Sequence, residues 1–129
     1  MPSYGGLWPV FQAYRAGEDF VGVSVHKMSD EVDGGTVMCS KEVPITLGCS
    51  IAELYEKCFS VSSITILDSL NKLRLNNFSG CDVSHIEKSY YSFPEKKHWA
   101  EFRERKGRFI WSNNYMKIIY ALEYSLFYN

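Results

Sequence analysis

No stretch of about eighteen consecutive apolar residues occurs in the chain, so nothing in it reads as a membrane span. No basic segment leads into an apolar one near the first residue, which argues against a signal peptide. Like charge is never concentrated. Lys and Arg number 14, Asp and Glu 15, and the formal net charge is −1. That balance lacks the positive field a phosphate backbone calls for, and nucleic acid is not favoured as a partner. C-x-x-C spacing is missing as well. Cys39, Cys49, Cys58 and Cys81 therefore read as buried or free thiols of a reducing compartment, the cytoplasm, rather than as a disulfide or zinc framework. The three His and the acids show no metal-ligand spacing, and neither a P-loop nor G-x-G-x-x-G is present. What remains is an ordinary globular composition, 46% hydrophobic and 16% aromatic over 129 residues, enough for one domain.

The stretch with most to say is Gly22-Val-Ser-Val-His-Lys-Met-Ser-Asp-Glu-Val-Asp-Gly-Gly-Thr-Val-Met38. Val21, Val23 and Val25 alternate with Gly22, Ser24 and His26, the period of a half-buried strand. Val37, Cys39 and Val43 alternate likewise, predicting a second strand over about 36–43 that Pro44 ends. The intervening loop is longer than a plain hairpin needs and carries Asp30, Glu31 and Asp33 before Gly34-Gly35. Clustered carboxylates raise the pKa of whichever is most buried, and glycines let another molecule approach the backbone. A solvated acidic turn is the plain alternative. His26, flanked by apolar residues, reads as a hydrogen-bonded structural residue.

Around this stretch the chain alternates elements. Leu7 to Ala16 predicts a short helix with Pro9 in its first turn and Gly17 as its stop; Trp8 is expected in the core. Ser50-Ile-Ala-Glu53 is a capping box opening a long helix to about Leu75. Its expected buried stripe is Ile51, Leu54, Cys58, Val61, Ile64, Leu67 and Leu70. The hydroxyl-rich 60–65 stretch is weak in helix propensity and suggests a break. Ser92 and Glu95 form a second candidate capping box for a charged helix to about Lys106, with Trp99 and Phe102 buried, His98 exposed and Gly107 as the stop. Its basic residues, interleaved with Glu95, Glu101 and Glu104, read as a solvated face. Residues 108–111 suggest a short strand. Asn113 or Asn114 would cap a last helix whose apolar face is Tyr115, Ile118, Ile119, Leu122 and Leu126.

The run from Ser24 to Gly35 followed by Val43-Pro44-Ile45, together with Pro2-Ser-Tyr-Gly-Gly-Leu-Trp-Pro9, resembles the second half of a formyltransferase domain. Members read roughly G-V-T-V-H-x-M-D-x-x-x-D-x-G, then V-P-[IV], then a helix, downstream of H-P-S-L-L-P-x-[YF]-[RK]-G-x-x-P. Here Gly5 stands where the family has Arg or Lys. The resemblance covers Pro2 to about Leu75. It implies an α/β fold: the C-terminal half of a Rossmann-like formyltransferase domain, a short antiparallel strand pair packed by helices. Residues 1–80 would form that half-domain and 81–129 a helical extension packed on it.

The resemblance also implies chemistry. The family transfers a formyl group from 10-formyltetrahydrofolate to an amine. Its His polarises the formyl oxygen, its Asn holds the oxyanion, and its Asp tunes the His and takes up the amine proton. The Asn and His belong to an N-x-H-P-S run that would align upstream of Met1. Only the Asp carries over, onto Asp33; the folate-contacting loop carries over onto Glu31, Val32, Asp33 and Gly34. The expected acceptor is a small amine such as an amino-sugar nucleotide, with methionyl-tRNA the alternative. Whether the chain is itself an enzyme stays open: the other expectation is a remnant without turnover, a ligand-binding or dimerising module. An open sheet edge, where parallel strands would otherwise pair, predicts a homodimer.

Overall fold

The computed structural model describes residues 3–30, 35–75, 80, 87 and 89–110. Its elements run β1 (Gly5–Gly6), α1 (Pro9–Ala16), β2 (Phe20–His26), β3 (Val37–Pro44), α2 (Ile51–Arg74), β4 (Tyr90–Tyr91) and α3 (Lys96–Glu104). The fold is α/β. β2 and β3 pair antiparallel, Val21 opposite Val43 and Val25 opposite Cys39, with a bulge between Val25 and His26. β1 and β4 form a separate parallel pair. Val21, Val37, Cys39 and Val43 are buried and Gly22, Ser40 and Glu42 exposed, as alternation predicts; Met38, on the other face of β3, is buried as well. Pro44 does not end the pairing early. It sits opposite Phe20, and the Ile45 amide then donates to the Asp19 carbonyl at 2.8 Å. A residue without an N–H is tolerated on an edge strand, which β3 is in this two-stranded sheet.

α2 starts on the expected capping box. The Glu53 amide donates to Ser50 Oγ at 3.2 Å and the Ser50 amide to Glu53 Oε2 at 3.0 Å. The expected break at 60–65 is absent; the helix is continuous over 24 residues. Ser60, Ser62, Thr65 and Ser69 donate their hydroxyls to carbonyls one turn back, at 2.7–3.0 Å, so no hydroxyl competes for a helical amide. The expected buried face holds over the first half of the helix, where Cys58 and Val61 pack on the core beside Ile51 and Leu54, and departs over the second half. Ile51, Leu54, Thr65 and Ser69 are buried, whereas Ile64, Leu67 and Leu70 are exposed. Small, internally bonded side chains let the helix lie close on β2 and β3.

The core has two parts. Ala13, Val21 and Val43 fill the space between sheet and helices, with Val23, Cys58 and Val61 packed on them. Val10, Phe11, Tyr14, Cys49, Ile51, Leu54 and Phe102 form the other, with Trp99 and Phe109 against it. α3 is thus tied into the same interior as α1. Tyr14 Oη donates to the Arg105 carbonyl at 3.1 Å and accepts from the Gly48 amide at 3.0 Å. Arg15 pairs with Glu101 at 2.6 Å.

Four local expectations change. Trp8 is left-handed (φ 58°), caps α1 and stays 37% exposed, edge-on to Phe11, Phe93, Trp99 and Phe109. The box at α3 is Glu95 with His98, not Ser92 with Glu95, and this turns His98 inward as a buried acceptor for the Glu95 amide at 3.1 Å. α3 closes through Lys106 (φ 57°), so Gly107 is needed for packing on the Phe102 ring. Over 108–110, the described part of the expected strand 108–111, there is only an isolated bridge of Arg108 to Ser50. Residues 76–79 and the expected final helix over 113–126 lie outside the described residues, as do His85 and Cys81.

Candidate functional site

The sequence places its site on the loop between β2 and β3, and the described residues define the base of that loop. The Lys27 amide donates to the Thr36 carbonyl at 3.0 Å, closing the two strands on each other. Gly35 lies flush on this closure: a Cβ there would strike the Lys27 carbonyl oxygen and lie 3.0 Å from His26 Nδ1. No side chain fits, so glycine is required by close approach rather than by turn geometry. His26 Nδ1 lies 3.0 Å from the Lys27 carbonyl, the structural role expected of it. The bulge at Val25/His26 re-aims the chain where the loop leaves the sheet, a position bulges often occupy beside functional sites. Glu31, Val32, Asp33 and Gly34 themselves lie outside the described residues.

Along β2 from this base runs a cavity of about 860 Å³. That is within the range of small-molecule sites. Ser24 and Val37, three residues before Lys27 and one after Thr36, mark the end nearest the loop. Val10, Ala13, Val21 and Cys58 give apolar wall; Glu18, Ser40 and Glu42 give polar wall. Ser24 and Ser40 share a hydrogen bond of 2.9 Å across the strand pair. At the other end β1 and β4 bring Tyr4 onto Tyr91, stacked with centroids 5.6 Å apart. Tyr4 Oη donates to Glu18 Oε1 at 2.6 Å, and the Tyr4 amide donates to Ser89 Oγ at 2.8 Å. Burial and this hydrogen bond push the Tyr4 hydroxyl well above its ordinary range. Arg15 lies 5.3 Å from the Tyr91 ring centre, a cation–π contact. Burial likewise raises the Cys58 thiol, making it a neutral wall residue rather than a nucleophile.

Tyr4, Glu18 and Tyr91 were not legible as cavity residues in the sequence. Tyr4 and Tyr91 are 87 positions apart and meet where β1 runs beside β4, against which Gly6 has no room for a Cβ. Among the described residues no group of His, Cys, Asp and Glu could hold a metal ion. No described helix is long and apolar enough to cross a membrane. Cys39, Cys49 and Cys58 are free.

The sequence profile of the formyl transferase family matches residues 1–70, more than half of the chain. The chain belongs to the formyltransferase family. Among its relatives, the methionyl-tRNA formyltransferase of Prochlorococcus marinus (strain MIT 9515) is 26% identical over 115 residues, 88% of this chain and 34% of that protein. That of Thermotoga maritima is 25% identical over 97 residues, 75% of this chain and 31% of that one. This formyltransferase-family chain thus spans about a third of the curated relatives it matches.

Solved structures agree on the fold. The N-formyltransferase of Helicobacter canadensis, in complex with folinic acid and dTDP-3-aminofucose, superposes with a TM-score of 0.63 at 21% identity. The match covers 71% of this chain and 34% of that one. PseJ of Anoxybacillus kamchatkensis, a formyltransferase in complex with a UDP-sugar and tetrahydrofolate, gives 0.61 at 18% identity, covering 78% and 52%. The α/β arrangement described above is therefore part of a Rossmann-like formyltransferase domain.

Proposed function

We propose that this chain is part of an N-formyltransferase that moves a formyl group from 10-formyltetrahydrofolate to a small amine, such as that of an amino-sugar nucleotide. The observation that carries the reading is the family match over residues 1–70, which includes the whole β2–loop–β3 unit. In this reading the backbone of Glu31, Val32, Asp33 and Gly34 contacts the folate. Asp33 is the catalytic carboxylate: it orients the family's His and takes up the proton the amine loses. The folate supplies an activated one-carbon unit at the formyl oxidation level. The residues described fit such a donor: the loop base is closed by the Lys27–Thr36 hydrogen bond, and the adjoining cavity offers both an apolar wall and polar groups for a flat, hydrogen-bonding ring. We assign residues 1–80 to the half-domain and 81–129 to an extension. A small acceptor is preferred over methionyl-tRNA because net charge is −1 and the exposed basic residues of α3 alternate with acids.

Two measurements test this. In a protein that also supplies N-x-H-P-S, Asp33→Asn should cut formyl transfer at least a hundredfold while leaving folate affinity within a few-fold. Unchanged turnover would take Asp33 out of the mechanism. Calorimetry of the 129-residue chain with tetrahydrofolate should show weak binding. Complete absence of folate binding would overturn this reading of the loop.

A further inference from the structure

Between Ser3 and Pro9 the backbone is strained. Tyr4 (φ 56°), Gly6 (φ 91°) and Trp8 (φ 58°) are all left-handed, on alternate residues. Gly6 adopts this conformation without penalty. Tyr4 and Trp8 carry bulky side chains, and such residues stay left-handed only where their surroundings over-determine them. Here the surroundings come from far along the chain. The Gly5 amide donates to the Ser89 carbonyl at 2.9 Å and the Leu7 amide to the Tyr91 carbonyl at 2.8 Å. Tyr4 lies flat on Tyr91, and Trp8 meets Phe93 and Trp99 edge-on. Arg15 stands behind Tyr91. Its guanidinium covers the ring, donates to Glu101 at 2.6 Å and is held at Nε by the buried Gln12 at 2.6 Å. The Arg15 side chain is only 10% exposed, so this cation is fixed rather than free to swing into solvent.

We infer that Arg15 and Tyr91 are positioning residues for formyl transfer: they hold the Tyr4–Trp8 segment in its strained path, and through it the residues that lead into it. This rests on the reading above, in which the family's catalytic Asn and His lie on a run leading into this segment. While the anchors hold, the segment has one path. Without them, Tyr4 and Trp8 relax toward the ordinary right-handed or extended regions, and the chain ahead of them is re-aimed. Reacting groups tolerate little misplacement; about 1 Å can cost on the order of a hundredfold in rate. β4 and α3 therefore act on turnover although they carry none of the proposed catalytic groups. The plain alternative is a clip that adds stability alone, which would leave turnover of the folded protein unchanged.

Hydrogen exchange on the 129-residue chain tests the anchoring, and kinetics test what it is for. Arg15→Met removes the cation and keeps the stem; Tyr91→Leu removes the ring. Each should speed exchange of the Gly5 and Leu7 amides about tenfold, the size expected for loss of one cation–π or aromatic contact. The β2–β3 amides should exchange as before, which reports that the rest of the chain is folded. Tyr91→Phe keeps the stack and should keep the slow exchange. Unchanged exchange at Gly5 and Leu7 in both variants overturns the inference, whatever the reaction. In a protein that also supplies N-x-H-P-S, Arg15→Met should lower kcat about tenfold and leave KM for the formyl donor within about twofold. Faster exchange with kcat unchanged overturns the positioning role and spares the reaction. A parent protein that transfers no formyl group sinks the reaction, and the positioning role with it.

Discussion

At the scale of single residues, Gly35 joins the fold to the proposed chemistry. The atoms in its way are the backbone of Lys27, not a side chain that could swing aside. Gly35→Ala should therefore force the loop base apart and cost about 2 kcal/mol, the usual penalty for overpacking. Urea unfolding reads the stability; tetrahydrofolate affinity should fall with it. A stable variant that binds as before would mean the base can open without consequence. Gly17 is a useful contrast. It has φ +85°, and a Cβ there would meet the Arg105 guanidinium, a flexible group that can move. Gly17→Ala should cost about 1 kcal/mol, mainly for the left-handed backbone, and leave folate binding untouched.

At the scale of elements, legibility follows how local the deciding interaction is. The strand alternation around Val21–Val25 and the Ser50–Glu53 box depend on neighbours in sequence, and both could be read directly. The buried face of the second half of α2 could not. A hydropathy stripe favours Ile64, Leu67 and Leu70 over Thr65 and Ser69, yet the hydroxyls satisfy themselves on the preceding turn and bury at little cost. His98 was misread for a related reason: its inward turn depends on the Glu95 amide, which only the helix start presents. The loop residues Glu31 to Gly34 were singled out by family resemblance, whereas the cavity beside them is made by long-range contacts. The departure itself is testable. Leu54→Ala should cost about 3 kcal/mol, and Leu67→Ala no more than about 0.5 kcal/mol in dilute, monomeric protein. Equal costs would return the buried face to the stripe that hydropathy suggests.

At the scale of the whole molecule, the fold holds several groups in their protonated form. Burial raises the Cys49 and Cys58 thiols above their ordinary 9.0 and the Tyr55 hydroxyl above 10.0. Burial and the Glu18 hydrogen bond raise Tyr4. The exposed Lys41 is held up by its hydrogen bond to Asp68, 2.7 Å away. All five shifts have the same sign: the folded state keeps its proton where the unfolded state has begun to lose it. Their contribution is complete below about pH 9 and is lost as pH rises through the folded values, the thiols first and the tyrosines and Lys41 later. Melting temperature should thus be level from neutral pH to about 9 and fall beyond it. In a Cys49→Ala, Cys58→Ala variant the midpoint at neutral pH drops from lost packing, but the fall between pH 9 and 10 should become shallower. The slope, not the midpoint, is the readout. An unchanged slope would show that the thiols ionise in the folded protein as they do in water, and that the interior around α2 admits solvent despite the buried Leu54 beneath it.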